Sequence, residues 1–180
     1  IGDGTTNFTG DYDGDGYTID YLYINRSSTD NIGLFGMIGD NVAINDLAVT
    51  NVDITGNRYT GVLCGRIDGL NSLIDNCETS GVLSGLVSCG GMVGRGNGSI
   101  SNSSSSVTVN ASIISDDWSD TGGLIGDAKG TISNCYVTGN VTAEGRNTGG
   151  LAGWVREGIT IEQCFTTGDV TINSSNSTGE

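Results

Sequence analysis

The residues whose types and spacing could do chemistry fall into three small groups. Near the start, Asp11, Asp13, Asp15 and Gly16 reproduce the D-x-D-x-D-G opening of a calcium loop, in which alternate carboxylates around a glycine-enabled turn converge on one cation. The twelfth position, where such a loop places a bidentate Glu, is Leu22. The stretch therefore reads first as an Asp-Gly turn at a corner and second as a calcium site, with no other cofactor expected. The second group is the five cysteines Cys64, Cys77, Cys89, Cys135 and Cys164, an odd number that cannot all pair within one chain. The third group is charged: Asp116, Asp117 and Asp120 around Trp118, and Arg66, Arg95 and Asp127 at recurrent positions.

The acidic group is too poor in partners for catalysis. A glycosidase needs two carboxylates about 5 to 9 Å apart, but the chain has no His and a single Lys, and no base or cation neighbours these Asp residues in sequence. They read as a solvated acidic loop, and the expectation is a protein that is not an enzyme. Arg95 and Asp127 are expected side by side, as an ion pair or as part of an anion-recognising strip. Trp118, Trp154 and Tyr136 are aromatics that could stack on sugars, but they fall on different columns of the repeat.

What positions these residues is a repeat. Gly122 to Thr142 reads GGLIGDAKGTISNCYVTGNVT, and the rest of the chain rewrites it. Gly36, Gly65, Gly94, Gly126 and Gly153 form one column at intervals of 29, 29, 32 and 27 residues. Ile19, Ile44, Ile74, Ile100, Ile132 and Ile161 form a second, each followed three residues later by Leu22, Leu47, Cys77, Ser103, Cys135 and Cys164. A period near 29 built from short strands and turns marks a solenoid, whose coils bury their apolar side only against neighbours. At about 3.3 Å per residue, such a coil makes a three-sided rung. The fold expected is a right-handed parallel β-helix of about six coils with the Ile column as an interior ladder.

The register sorts the cysteines. Cys77, Cys135 and Cys164 share the column of Leu22 and Leu47 and read as small interior residues. Cys135 and Cys164 lie on adjacent coils and are disulfide candidates, although a rung spacing of about 4.8 Å slightly exceeds the usual Cβ separation. Cys64 and Cys89 fall outside that column, near coil corners, and are the candidates for a cross-link between molecules.

Composition narrows the partners. Seven Lys and Arg against 21 Asp and Glu give a net charge of −14, which repels nucleic acid and anionic membrane surfaces. No apolar run reaches the roughly 20 residues of a membrane helix, so no membrane insertion is expected, and no signal-peptide pattern opens the chain. Asn-x-Ser/Thr triplets occur at Asn7, Asn25, Asn97, Asn102, Asn110, Asn140, Asn173 and Asn176. With the acidity and the scarcity of Lys, they favour an extracellular setting at the cell surface. Residues 1–180 read as one β-helix domain, with a starting coil over 1–30, repeat coils over 31–172 and a polar tail over 173–180.

At Gly123-Leu-Ile-Gly126 and Gly150-Leu-Ala-Gly153, each followed by Ile-x-x-Cys and a Gly-Asn-Val-Thr or Gly-Asp-Val-Thr strand, the chain resembles the GLUG-motif repeats of bacterial and archaeal surface proteins. The resemblance covers roughly residues 8–172 and implies a fold and a cellular setting, since these repeats occur as passive segments of adhesins, cell-wall proteases and envelope proteins. The function expected is a non-enzymatic subunit that assembles with copies of itself into a surface layer, sheath or fibre. The alternative is a passive stalk or ligand-binding segment of a larger adhesin, with glycans or a host surface as partner.

Overall fold

The structure is a computed structural model that describes residues 1–112 and 119–173. Asp116, Asp117, Trp118, Asn176 and all of the polar tail except Asn173 lie outside the described residues. The chain is all-β, a solenoid whose strands join coil to coil in parallel, and no helix occurs among the described residues.

One coil shows the plan. A corner strand, Arg58–Gly61, turns through two residues into a glycine strand, Cys64–Ile67; an isoleucine strand, Leu73–Asp75, and a long strand, Glu78–Gly85, complete the circuit. Stacked copies make four sheets rather than the expected three sides. The unforeseen side is the corner sheet, where Arg58–Gly61, Val87–Gly90, Asp120–Gly122 and Asn147–Gly149 pair in succession. It is invisible in sequence because strands such as RYTG and NTG lack apolar alternation.

The glycine column stands as read. Phe35, Cys64, Val93, Ile125 and Ala152 align coil to coil, which brings Gly36, Gly65, Gly94, Gly126 and Gly153 into one file. A second file, Gly61, Gly90, Gly122 and Gly149, runs along the corner sheet. The two files explain each other. A Cβ on Gly94 would lie 2.6 Å from Thr60 N and from Tyr59 C, and one on Gly61 would lie 2.6 Å from Gly94 N. The corner sheet thus lies on the glycine sheet at backbone contact, and glycine is required by closeness rather than by a left-handed φ. Between the files, Leu63, Met92 and Leu124 occupy the two-residue turns and are fully buried. Their amides continue the ladder, Leu63 N donating to Met92 O at 3.0 Å and Met92 N to Leu124 O at 2.9 Å.

The isoleucine ladder needs one correction. Ile44, Ile74, Ile100, Ile132 and Ile161 stack in register, but the residue above Ile44 is Tyr12, while Ile19 pairs with Val49 on the long sheet. The first coil spends two extra residues in its corner, Asp13 to Gly16, which displaces its motif along the chain. It also has no strand on the glycine or corner sheets: Phe8 makes only a bridge to Ile38, and Gly36 N donates to Ile1 O at 2.8 Å. The solenoid therefore has about five turns rather than six. Ile44, Ile74, Ile100 and Ile132 are 0 to 1% exposed, and such burial is worth about 1.5 to 3 kcal/mol for each side chain.

A substitution separates closeness from helical or strand propensity. Gly126→Ala puts its Cβ 2.4 Å from Gly94 O and is expected to destabilise the chain by about 3 kcal/mol, the upper end of overpacking costs. Gly4→Ala, whose nearest neighbour is 3.7 Å away, is expected to be neutral. Urea unfolding of the two variants measures the difference.

Candidate functional site

Each coil passes from its isoleucine strand to its long strand through a corner with one left-handed residue. Asp46, Asn76, Asn102, Asn134 and Gln163 hold φ between 49° and 54° there, a conformation that Asn and Asp tolerate best. Their side chains bond along the axis, Asn102 Nδ2 donating to Asp75 Oδ1 at 2.7 Å and Asn134 Nδ2 to Asn102 Oδ1 at 3.2 Å. The next residue is Leu47, Cys77, Ser103, Cys135 or Cys164. Each Cys donates its S–H to the carbonyl two residues back, Cys77 to Asp75 at 3.3 Å, Cys135 to Ser133 at 3.1 Å and Cys164 to Glu162 at 3.2 Å. Ser103 Oγ does the same to Ser101 O at 2.6 Å. The motif Ile-x-Asn-Cys is therefore a corner, and Ser substitutes for Cys because both donate.

All five cysteines are free thiols. Cys135 and Cys164 occupy adjacent places in the corner column. Cys64 and Cys89 correct the expectation of corner thiols open to a partner. Both are fully buried, Cys64 in the apolar file of Phe35 and Val93 and Cys89 in the interior file of Thr60 and Thr121. Burial pushes the Cys64 and Cys89 thiols up to about 12 and those of Cys77 and Cys135 up to about 11. A thiolate is the reactive form, so four of the five are held inert.

The Asp-Gly opening is a turn. Asp13 Oδ1 accepts from Asp15 N at 2.8 Å, Asp11 Oδ1 accepts from Ala43 N on the next coil at 2.8 Å, and Asp15 and Gly16 have φ of 49° and 72°. No group of three or more Cys, Asp or Glu side chains comes together at one point among the described residues. Of the Asn triplets, Asn25, Asn140 and Asn173 are exposed and Asn7 and Asn110 half-buried. Asn97 donates its amide to Asp68 O at 2.9 Å, and Asn102 belongs to the corner ladder.

The charged recurrences do converge. Met37, Arg66, Arg95, Asp127 and Trp154 form one outward column on the glycine sheet. Asp127, 1% exposed, accepts from Arg95 Nε at 3.2 Å and from Arg156 Nη2 and Nε at 2.9 and 3.1 Å. Arg66 pairs with Asp68 at 2.6 Å. The guanidinium carbons of Arg66 and Arg95 lie 5.7 and 5.5 Å from the Tyr59 ring centre, and that of Arg156 lies 4.9 Å from Trp154, within cation–π range. Of these, Tyr59, Arg95, Asp127, Trp154 and Arg156 line a cleft of about 330 Å³ together with Arg58 and Asp120. Asp120 is buried, accepting from Ser88 Oγ at 3.3 Å and Asn147 Nδ2 at 2.8 Å. Burial holds its carboxyl above the ordinary range, and the charge of Asp127 adds to this. Sequence reasoning found Arg66, Arg95 and Asp127 by column and singled out Asp120, but it read Asp120 as part of a solvated loop, where the structure buries it, and it missed Tyr59, because both sit on the unrecognised corner sheet. Arg156, two places beyond Trp154, follows directly on the strand Ala152–Val155.

With that geometry in place, the comparisons bear out the resemblance to GLUG repeats: residues 119–142 match the family model described as the GLUG motif. The matched stretch spans the turn between the two glycine files, the isoleucine strand and the thiol corner. Halomucin of Haloquadratum walsbyi is 39% identical over 92 residues, 51% of this chain and 1% of that protein. A protein of Evansella cellulosilytica named as a Gly-rich membrane protein is 40% identical over 77 residues, 42% of this chain and 9% of its own length. The chain thus spans a small fraction of the curated relatives it matches. No solved structure matches. Among the described residues no helix is long and apolar enough to cross a membrane.

Two measurements follow from these environments. Alkylation of the native chain at pH 8 is expected to modify the half-exposed Cys164 alone, with the other four reacting only after unfolding; mass mapping that finds Cys64 or Cys89 labelled in the native state contradicts the burial. Asp120, with its folded pKa raised, contributes stability present below the ordinary carboxylate range and lost as pH rises through the folded value. Asp120→Asn keeps acceptor and donor atoms for Asn147 and Ser88, so the variant is expected to gain stability over the parent as pH rises from about 4 to about 7, read by thermal unfolding.

Proposed function

We propose that the chain is a non-enzymatic structural length of an extracellular cell-surface protein, a β-solenoid segment that continues into further coils. The observation that carries this is the state of the last coil. Ile132, Val141 and Ala143 are at most 1% exposed, whereas their neighbours one coil on, Ile161, Val170 and Ile172, are 40, 42 and 55% exposed. Among the described residues the interior files thus run to an edge of open apolar side chains and unpaired strand backbone, the kind of surface on which another coil of the same plan stacks. The small share of both relatives that the chain covers, 1% and 9%, supports further coils within one long chain. The membrane protein among them supports a place at the cell envelope.

The non-enzymatic reading rests on the carboxylates of the cleft. Asp127 is held by two guanidinium groups and Asp120 by Ser88 and Asn147, and both are buried. Neither is placed as the open acid or nucleophile that hydrolysis of a glycoside requires.

The same open edge supports a second reading, in which the next coil belongs to another copy and head-to-tail stacking builds a sheath, surface layer or fibre. Inserting a second copy of residues 145–172 after Ile172 tests the primary reading. Solenoid stability sums over coil interfaces, so the extended chain is expected to unfold at higher denaturant with a larger m-value; an unchanged midpoint refutes continuation by further coils. Electron microscopy of the unmodified chain, with and without calcium, decides for the second reading if ordered filaments or sheets form.

A further inference from the structure

A second cleft, of about 260 Å³, runs along the solenoid beside the thiol corner. One wall is the corner ladder of Asp46, Asn76 and Asn102. The other is an outward column of the long sheet, Ala48, Glu78, Ser104 and Tyr136, which pair coil to coil. Leu47 and Cys77, buried between the walls, form the floor. The cleft exists because the column is uneven: Ala48 and Ser104 are too short to fill the space that Glu78 and Tyr136 stand beside. Every residue that lines it is among the described residues.

The column ends in two aromatic rings. Tyr136 and Phe165, on successive coils, stack with 5.4 Å between ring centres and 8° between planes. Phe165 thus covers one face of the Tyr136 ring. The other face looks back along the column to Ser104, one coil away, where no ring stands. Tyr136 is 44% exposed, so this open aromatic face is an end wall of the cleft. A ring of similar size seated over Ser104 continues the stack at the coil spacing of about 4.8 Å.

The polar groups around that seat are chiefly acceptors. Asp46 is already satisfied, accepting from the side-chain amides of Asn76 and Asn45, and Asn102 Oδ1 accepts from Asn134. Among the described residues nothing donates to the Glu78 carboxylate or to Asn76 Oδ1. No Lys or Arg lines the cleft. The seat therefore matches a flat ligand with an apolar face for the tyrosine and O–H donors around its rim, which is the chemistry of a pyranose. An acidic sugar meets Glu78 and Asp46 as like charges. Glu78 is exposed, so water weakens its pull on an ammonium group, and hydroxyl donors answer it as well.

We propose that this cleft binds one neutral pyranose unit of a glycan, its C–H face stacked on Tyr136 over Ser104 and its hydroxyls donating to Glu78 and Asn76. The seat lies two coils back from the open edge. A further coil covers Phe165 and leaves the seat as it is, so this site and the structural role are separately testable. Saturation-transfer NMR on the whole chain provides the test, with neutral tetrasaccharides of glucose, mannose, galactose and N-acetylglucosamine, a galacturonate tetramer and a glucosamine tetramer. Transfer to the ring protons of at least one neutral probe is expected, and the strongest response identifies the sugar. Titrated with that probe, Tyr136→Ala and Ser104→Leu, which fills the seat, are each expected to weaken binding about fivefold or more, whereas Tyr136→Phe keeps the ring and holds binding within about twofold. Tyr23→Ala, at an exposed tyrosine outside the cleft, leaves binding unchanged, and each variant is first checked for an unchanged unfolding midpoint. No transfer to any neutral probe, tighter binding of either charged tetramer, an equal loss in Tyr23→Ala, or a loss in Tyr136→Phe as large as in Tyr136→Ala overturns the proposal.

Discussion

The structure depends on two sheets lying on one another with nothing but glycine between them. Face-to-face sheets ordinarily sit about 10 Å apart because side chains interdigitate. Here the Gly61 to Gly149 file meets the Gly36 to Gly153 file, and any Cβ added to either would fall within 3 Å of opposing backbone. The closeness lets the chain reverse in two residues, as at Val62 and Leu63, and throws the second of these into the core, where Leu63, Met92 and Leu124 are fully buried. The stretch Gly122 to Gly126, Gly-Gly-Leu-Ile-Gly, is therefore one mechanical part: a spacer, a turn residue, an anchor, an interior strand residue and a second spacer.

The opposite corner solves a different problem. There the chain must turn with a residue in the left-handed region and still satisfy the carbonyls that the turn exposes. Asn supplies the conformation and an axial amide ladder, and the following thiol or hydroxyl returns a hydrogen bond to the strand it has just left. Cysteine suits this place because it is small, apolar enough to be buried and still a weak donor. The free thiols of this column thus have a structural explanation that needs no redox chemistry.

Because each coil repeats the same contacts, function is left to the residues that face outward, and these differ from coil to coil. Five outward positions of one column read Met37, Arg66, Arg95, Asp127 and Trp154. A repetitive scaffold presents such a column at fixed spacing, so a few substitutions suffice to write a charged and aromatic surface without disturbing the core. The pairing of the buried Asp127 with Arg95 and Arg156 satisfies a charge that the sheet would otherwise bury alone, and it holds both guanidinium groups beside the aromatic rings.

The sequence by itself determined the parallel stacking, the period, the glycine column from Gly36 to Gly153 and the isoleucine ladder from Ile44 to Ile161, because these follow from residues that recur at fixed spacing and have one physical use. It also placed Arg95 beside Asp127, since register fixes neighbours one coil apart. Only the tertiary structure decided the fourth sheet, the burial of Cys64 and Cys89, and the gathering of Tyr59, Asp120 and Arg156 around that ion pair. The reason is geometric. Periodicity reports which residues stack along the axis, but which sides of a coil face one another across it depends on where the backbone bends. Those bends are set by contacts between two glycine files that touch in space and lie only a few residues apart in sequence, for which the chain carries no alternating pattern. The first coil escaped for the same reason: two additional residues in the Asp13 to Gly16 turn moved Tyr12, rather than Ile19, to the top of the ladder.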